Sequence, residues 1–159
     1  MCNKHKALEL VELDIASSFD EITDYIDRLY LELFGKDEVL TSEVKKKIHQ
    51  QWQENSPSHW AYKVLDESNV VAFFTLTESF SFFAHGQYGL INELWVDPES
   101  RSQGVGGQVL QLIKDLALQK GWERIDVSAP IAEEWARSFD FYKKYGFKST
   151  GKKLRYITE

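Results

Sequence analysis

Apolar and polar positions divide the chain into short strands and longer helices. Residues 8–13 form an apolar run of strand length. Ser18 with Glu21 three positions later reads as a capping box that starts a helix. Ile22, Tyr25, Ile26, Leu29, Tyr30 and Leu33 then recur at helical spacing, and Gly35 closes the element. A second helix is predicted over residues 41–54, with Val44, Ile48 and Trp52 on one stripe, and Asn55-Ser56-Pro57-Ser58 breaks it. Residues 60–65 and 70–77 are rich in β-branched and aromatic side chains and flank the turn Asp66-Glu67-Ser68-Asn69, which predicts a hairpin.

The second half alternates strand and helix. Residues 78–87 read as a loop carrying Phe80, Phe82, Phe83 and His85, and a strand follows over 88–96. Residues 97–103 form a loop. A helix opens through Gly104-Val105-Gly106-Gly107, carries Val105, Val109, Leu112, Ile113 and Leu116 on one face, and ends at Gly121. A strand over 124–128, a helix over 131–145 stopped by Gly146, and a terminal pair of strands over 147–150 and 153–158 complete the pattern. The order is βααβββαβαββ, an α/β (α+β) class with a mixed, mostly antiparallel sheet and a central parallel pair joined through a helix. A chain of 159 residues without repeat or linker fits one domain, residues 1–159.

Composition narrows the function classes. Hydrophobic residues at 43% and charged residues at 28% are ordinary for a soluble protein. The formal net charge of −6 argues against nucleic acid as partner; it serves ordinary solubility first and mildly favours a cationic ligand. The single cysteine, Cys2, allows neither an internal disulfide nor a cysteine metal site, and His5, His49, His59 and His85 lack metal-ligand spacing, so no metal is expected. Residues 1–6 lead into no apolar run, and no stretch reaches membrane-spanning length, so a cytoplasmic location without membrane contact is expected.

The chemistry concentrates after the strand at 88–96. Gly104, Gly106 and Gly107 stand where a helix leaves its first N–H groups unpaired, and glycine lets a ligand approach backbone closely. With the helix dipole, such a terminus takes an anion, and Arg101 adds a permanent charge upstream. A Walker loop would need Lys-Ser/Thr after its second glycine, where Gln108-Val109 stands. A dinucleotide fingerprint would need a third glycine at Val109 and no intervening segment between strand and glycines.

Arg101-Ser102-Gln103-Gly104-Val105-Gly106 matches the pattern Arg/Gln-x-x-Gly-x-Gly/Ala. Together with Leu94-Trp95-Val96-Asp97-Pro98 and Phe141-Tyr142-Lys143-Lys144-Tyr145-Gly146-Phe147, it resembles the GNAT N-acetyltransferase family over roughly residues 88–150. The resemblance implies acetyl-CoA as cosubstrate and a splay between the strands at 88–96 and 124–128 where it enters. It implies that Arg101, Ser102, Gln103, Gly104, Val105, Gly106 and Gly107 hold the pyrophosphate, and that the backbone of Leu94, Trp95 and Val96 pairs with the pantetheine arm. It implies Tyr142 as the acid that protonates the leaving thiolate. Family members often dimerise. Two positions depart from the pattern: Ser102 stands where glycine is frequent, and Trp135 stands where asparagine is frequent.

An amine acceptor also needs a base. An alkyl ammonium of pKa ~10.4 is neutral in only about one molecule in 10³ at pH 7, a deficit of about 4.6 kcal/mol. Glu93 is the candidate, a strand carboxylate just before the glycine loop, with a solvent-facing strand glutamate as the alternative reading. Regular alternation puts it on the face opposite Asn92. Tyr142 shares a helical face with Trp135, Ser138 and Tyr145, as a core tyrosine also would. For Phe80, Phe82, Phe83, Tyr30, Phe34 and Trp52 the core reading is favoured over an acceptor groove. With no nucleophile near the motif, direct transfer to a primary amine on a small cationic molecule, a polyamine or amino sugar, is expected. A protein N-terminus or lysine is the second acceptor class. A non-catalytic acetyl-CoA-binding sensor and a structural interaction domain are the rivals outside catalysis.

Overall fold

The structure is a computed structural model, and it describes residues 7–35, 40–128 and 136–158. Trp135, His5 and Cys2 lie outside the described residues. The chain divides into two compact units, Met1–Asp126 and Val127–Glu159.

The first unit holds β1 (Glu9–Leu13), α1 (Ile15–Phe34), α2 (Ser42–Glu54), β2 (His59–Asp66), β3 (Asn69–Ser81), β4 (Gly86–Val96) and α3 (Val105–Lys120). Strand β5 (Ile125–Val127) spans the boundary between the units. The sheet order is β1-β2-β3-β4-β5. The first three pairings are antiparallel, and β4 with β5 is parallel, joined through α3. Among the described residues this parallel pair stands at the edge of the sheet and not at its centre.

Helix α1 covers one face. Ile22, Tyr25, Ile26 and Leu29 recur at helical spacing and pack with Leu13, Ala61, Phe73 and Trp95 in one buried cluster. Neighbouring strand residues point the other way. Phe74 and Leu76 are buried on that second face, where α3 contributes Val105, Val109, Leu110, Ile113, Leu116 and Ala117. Residues 71–76 of β3 are all buried, which explains a continuous apolar run in place of alternation. Gly89 on β4 makes room for Trp122: a Cβ there would overlap the indole's six-membered ring.

Several boundaries differ from the sequence reading. Helix α1 starts at Ile15, with Asp14 at its N-cap, and Ser18 sits inside it at a kink (φ −116°) and caps nothing. The expected start at Ser18 fails because the chain enters the helix one turn earlier. Thr41 does cap α2, its hydroxyl accepting from Val44 N–H at 3.2 Å. The expected loop over 78–87 is mostly strand: β3 runs to Ser81 and β4 begins at Gly86, leaving a four-residue turn. His85 occupies that turn with φ 62°, and its N–H donates to the Phe82 carbonyl at 3.0 Å. The core reading of Phe80, Phe82 and Phe83 is corrected, since Phe82 and Phe83 are 93% and 88% exposed at the hairpin tip and Phe80 is exposed beside them. Phe34 is also exposed, whereas Tyr30 and Trp52 pack against the α1 cluster.

The second unit contains α4 (Ala136–Lys144), followed by a turn in which Phe147 N–H donates to the Tyr142 carbonyl at 3.0 Å. The expected strands over 147–150 and 153–158 do not form: these residues carry no strand assignment, and Leu154, Tyr156 and Ile157 are exposed. A strand pattern without a ladder partner leaves its backbone groups to water.

Candidate active site

Strand β4 carries a bulge that decides the geometry. Thr75 pairs with Glu93 and the next residue, Leu76, pairs with Ile91, so Asn92 is an extra residue on β4. Alternation fails there. Asn92 Nδ2 donates to Thr77 Oγ1 at 3.0 Å, and the Thr75 hydroxyl donates to Glu93 Oε2. Thr75 and Thr77 lie two apart on one strand and share a face. Asn92 and Glu93 therefore point to the same face, not to opposite ones as regular alternation predicts.

Glu93 is held from two sides on the face that α1 covers. Thr75, buried within β3, donates to its carboxylate while accepting from the Glu93 N–H at 3.2 Å. The Tyr30 hydroxyl on α1 is its second hydrogen-bond partner. Burial raises the Glu93 carboxyl above its ordinary value, and the hydrogen bonds from Thr75 and Tyr30 work against that rise. Burial, then the Glu93 charge, raises the Tyr30 phenol in turn, so it stays a donor. The result is a carboxylate fixed in orientation yet made more basic than a solvated one, which suits a proton acceptor near neutral pH. Nothing in the local sequence marks Tyr30. A lone threonine inside the apolar run Val-Val-Ala-Phe-Phe-Thr-Leu was a signal for Thr75.

The glycine loop follows on the same strand. Pro98–Ser100 form one 3₁₀ turn, after which Ser102 (φ 65°) and Gly104 (φ 80°) both take left-handed backbone. Gly104 is the N-cap of α3, so the N–H groups of Val105, Gly106 and Gly107 lie in the first turn, where a helix has no internal acceptors. That turn holds no acidic side chain. The residues present therefore suit a bound phosphate. Gln103 is exposed, and its amide donates to the Glu99 carbonyl at 3.2 Å.

The other predicted positions divide by atom. The Trp95 ring is buried at 4% exposure in the α1 cluster, so only its backbone faces the question of cofactor pairing. Leu94 pairs with Phe74 and Val96 with Ala72. The Arg101 guanidinium is engaged by the chain itself: its Nε donates to the Val96 carbonyl at 3.0 Å, and Nη2 pairs with the Glu32 carboxylate of α1. Tyr142 belongs to the second unit. Its ring meets Phe141 and Phe147 edge-on, with centroids 5.2 and 5.4 Å away, and burial raises its phenol to about 12. A concavity of about 320 Å³, lined by Glu12, Asp14, Trp52, His59 and Trp60 among others, contains none of the predicted site residues. Among the described residues no cluster of His, Cys, Asp or Glu could hold a metal, and no helix is long and apolar enough to cross a membrane.

Strand β4 thus carries a half-buried carboxylate and leads into a glycine loop at a helix N-terminus. The model of the Acetyltransferase (GNAT) family matches residues 20–147, and the chain belongs to that family of acyltransferase enzymes. No curated protein sequence matches the chain. Among solved structures, the aminoglycoside acetyltransferase meta-AAC0020 from an uncultured soil metagenomic sample, in complex with trehalose, is similar at 20% identity, with 98% of this chain and 97% of that chain covered and a TM-score of 0.71. The same protein in complex with sisomicin gives 17% identity, 96% coverage of both chains and a TM-score of 0.71. A transcriptional regulator from Bacillus halodurans is similar at 14% identity, covering 95% of this chain and 99% of that one, with a TM-score of 0.73. At these identities the likeness establishes the fold, and a fold alone hosts several functions.

Proposed function

We propose that this chain transfers the acetyl group of acetyl-CoA directly to a primary amine on a small cationic molecule, a polyamine or an amino sugar. One observation carries the reading: Glu93, in register opposite Thr75, sits in a nest of Thr75 and Tyr30 on the strand that leads into the glycine loop. The family generally uses acetyl-CoA, and the first turn of α3 suits its phosphates. The loop from Arg101 to Gly107 holds the pyrophosphate, and the backbone of Leu94–Val96 pairs with the pantetheine arm.

In the transfer, the amine nitrogen forms a bond to the acetyl carbon while the carbon–sulfur bond breaks. Glu93 takes the proton that the ammonium must lose. The proton for the departing thiolate is assigned to Tyr142 on the match of residues 141–147 to the family segment. A phenol raised to about 12 holds that proton throughout the neutral range. The acidic net charge of −6 favours a cationic acceptor. The amino-sugar choice is supported by the aminoglycoside acetyltransferases that share the fold. Action as one domain in the cytoplasm, with a homodimer as assembly, belongs to the same proposal.

The test is a panel of amines with acetyl-CoA, reading free thiol. Release with a polyamine or amino sugar is the expected result. Release with lysine peptides or protein N-termini alone would replace the acceptor class. Tight acetyl-CoA binding with no thiol release for any amine would make the chain a sensor.

A further inference from the structure

Glu32 stands in the last turn of α1, where the helix dipole opposes a negative charge, and no basic residue of that turn offsets it. Local helix energetics therefore do not explain it. Its two carboxylate oxygens serve two different segments. Oε1 accepts from the Trp95 indole Nε1 at 3.2 Å, and Oε2 pairs with Arg101 Nη2. Arg101 in turn spends its Nε on the Val96 carbonyl at 3.0 Å. The guanidinium fork thus joins the end of β4, the start of the glycine loop and α1. Trp95 is a firm anchor for this arrangement, being buried, with Arg28 lying 5.9 Å from its ring centroid. The residue after Arg101 is Ser102 at φ 65°, the first of the two left-handed positions of the loop.

We propose that Glu32 is a positioning residue for the cofactor loop. Its carboxylate, shared between Trp95 and Arg101, clamps Arg101 across the end of β4. Arg101 then braces the loop, and the backbone N–H groups beyond it meet the phosphates. The inference rests on the acetyl-CoA reading given above. It differs from direct phosphate contact by Arg101 in one respect: contact requires the guanidinium to leave Glu32, whereas bracing requires it to stay. The planar fork matters as well as the charge, because a lysine cannot reach two acceptors with fixed geometry.

The opposed signs make the test sharp. Calorimetry with CoA and with pantetheine is run on wild type, Glu32→Gln, Arg101→Lys, Arg101→Gln and the Glu32→Gln/Arg101→Gln double variant. Bracing predicts that Glu32→Gln weakens CoA by roughly two- to fivefold, the scale of a lost partly exposed ion pair. Arg101→Lys should lose as much as Arg101→Gln, and the double variant should be no worse than Arg101→Gln alone. Pantetheine affinity, which needs no phosphate site, should stay unchanged in all of them, as a general loss of structure would not allow. Tighter or unaltered CoA binding in Glu32→Gln would overturn the brace, because freeing Arg101 would then help the phosphate. Retained affinity in Arg101→Lys would overturn it too. A wild-type protein that bound no CoA would overturn the cofactor reading, and the brace with it.

Discussion

At the residue scale the proposed chemistry turns on two protons. Burial raises the Glu93 carboxyl, so the fold holds a proton at pH values where the unfolded chain has released it. Stability from this group therefore falls as pH climbs from the ordinary carboxylate range through the raised value, and the cost persists above it. Glu93→Gln removes that cost. Thermal melts across pH should show the variant more stable than wild type near neutrality and equal to it in acid. The pH–rate profile should meanwhile lose its acid limb and fall by about 10²–10⁴ in kcat/KM. A variant with wild-type turnover would place Glu93 outside catalysis. Tyr142 answers to a different comparison. Tyr142→Phe keeps the ring and its edge contacts with Phe141 and Phe147 while removing the hydroxyl. Loss of a general acid should lower turnover by about 10²–10⁴, a barrier of roughly 3–5 kcal/mol, with the melt nearly unchanged. Normal turnover with a lowered melting temperature would make Tyr142 a packing residue only.

At the element scale the important features are a bulge and a helix start. The extra residue in β4 puts Asn92 and Glu93 on one face, which no two-residue periodicity could foresee, because a bulge is a property of the pairing with β3. The start of α3 separates two glycines that look equivalent in sequence. Gly104 has φ 80° and open space around its Cα, so a side chain there is strained by the backbone alone. Gly106 is absent from the positive-φ positions and lies within the helix. Gly106→Val should therefore fold, with at most a small propensity cost, and lose CoA binding because its branched side chain fills the space of close approach. Gly104→Val should lose both binding and stability. Unchanged calorimetric affinity in Gly106→Val would remove the helix N-terminus as the phosphate site.

At the scale of the molecule, the sequence by itself determined the succession of the first nine elements, the buried stripes of α1 and α3, and the place of the glycine loop. Those depend on periodicity and on residues whose backbone preferences are local, such as Gly35, Gly104 and Gly121 with their left-handed φ. Tertiary structure alone decided the rest. Phe80, Phe82 and Phe83 look like core by composition, yet pairing of β3 with β4 carries them to an exposed hairpin tip. Residues 153–158 alternate like a strand and form none, since a strand exists only where a ladder partner accepts it. Tyr30 and Thr75 reach Glu93, and Glu32 reaches Arg101 across 69 positions, because α1 and β3 fold against the same strand. Charge partners that far apart leave no trace in local spacing; only the packing of α1 on the sheet brings them within hydrogen-bond reach.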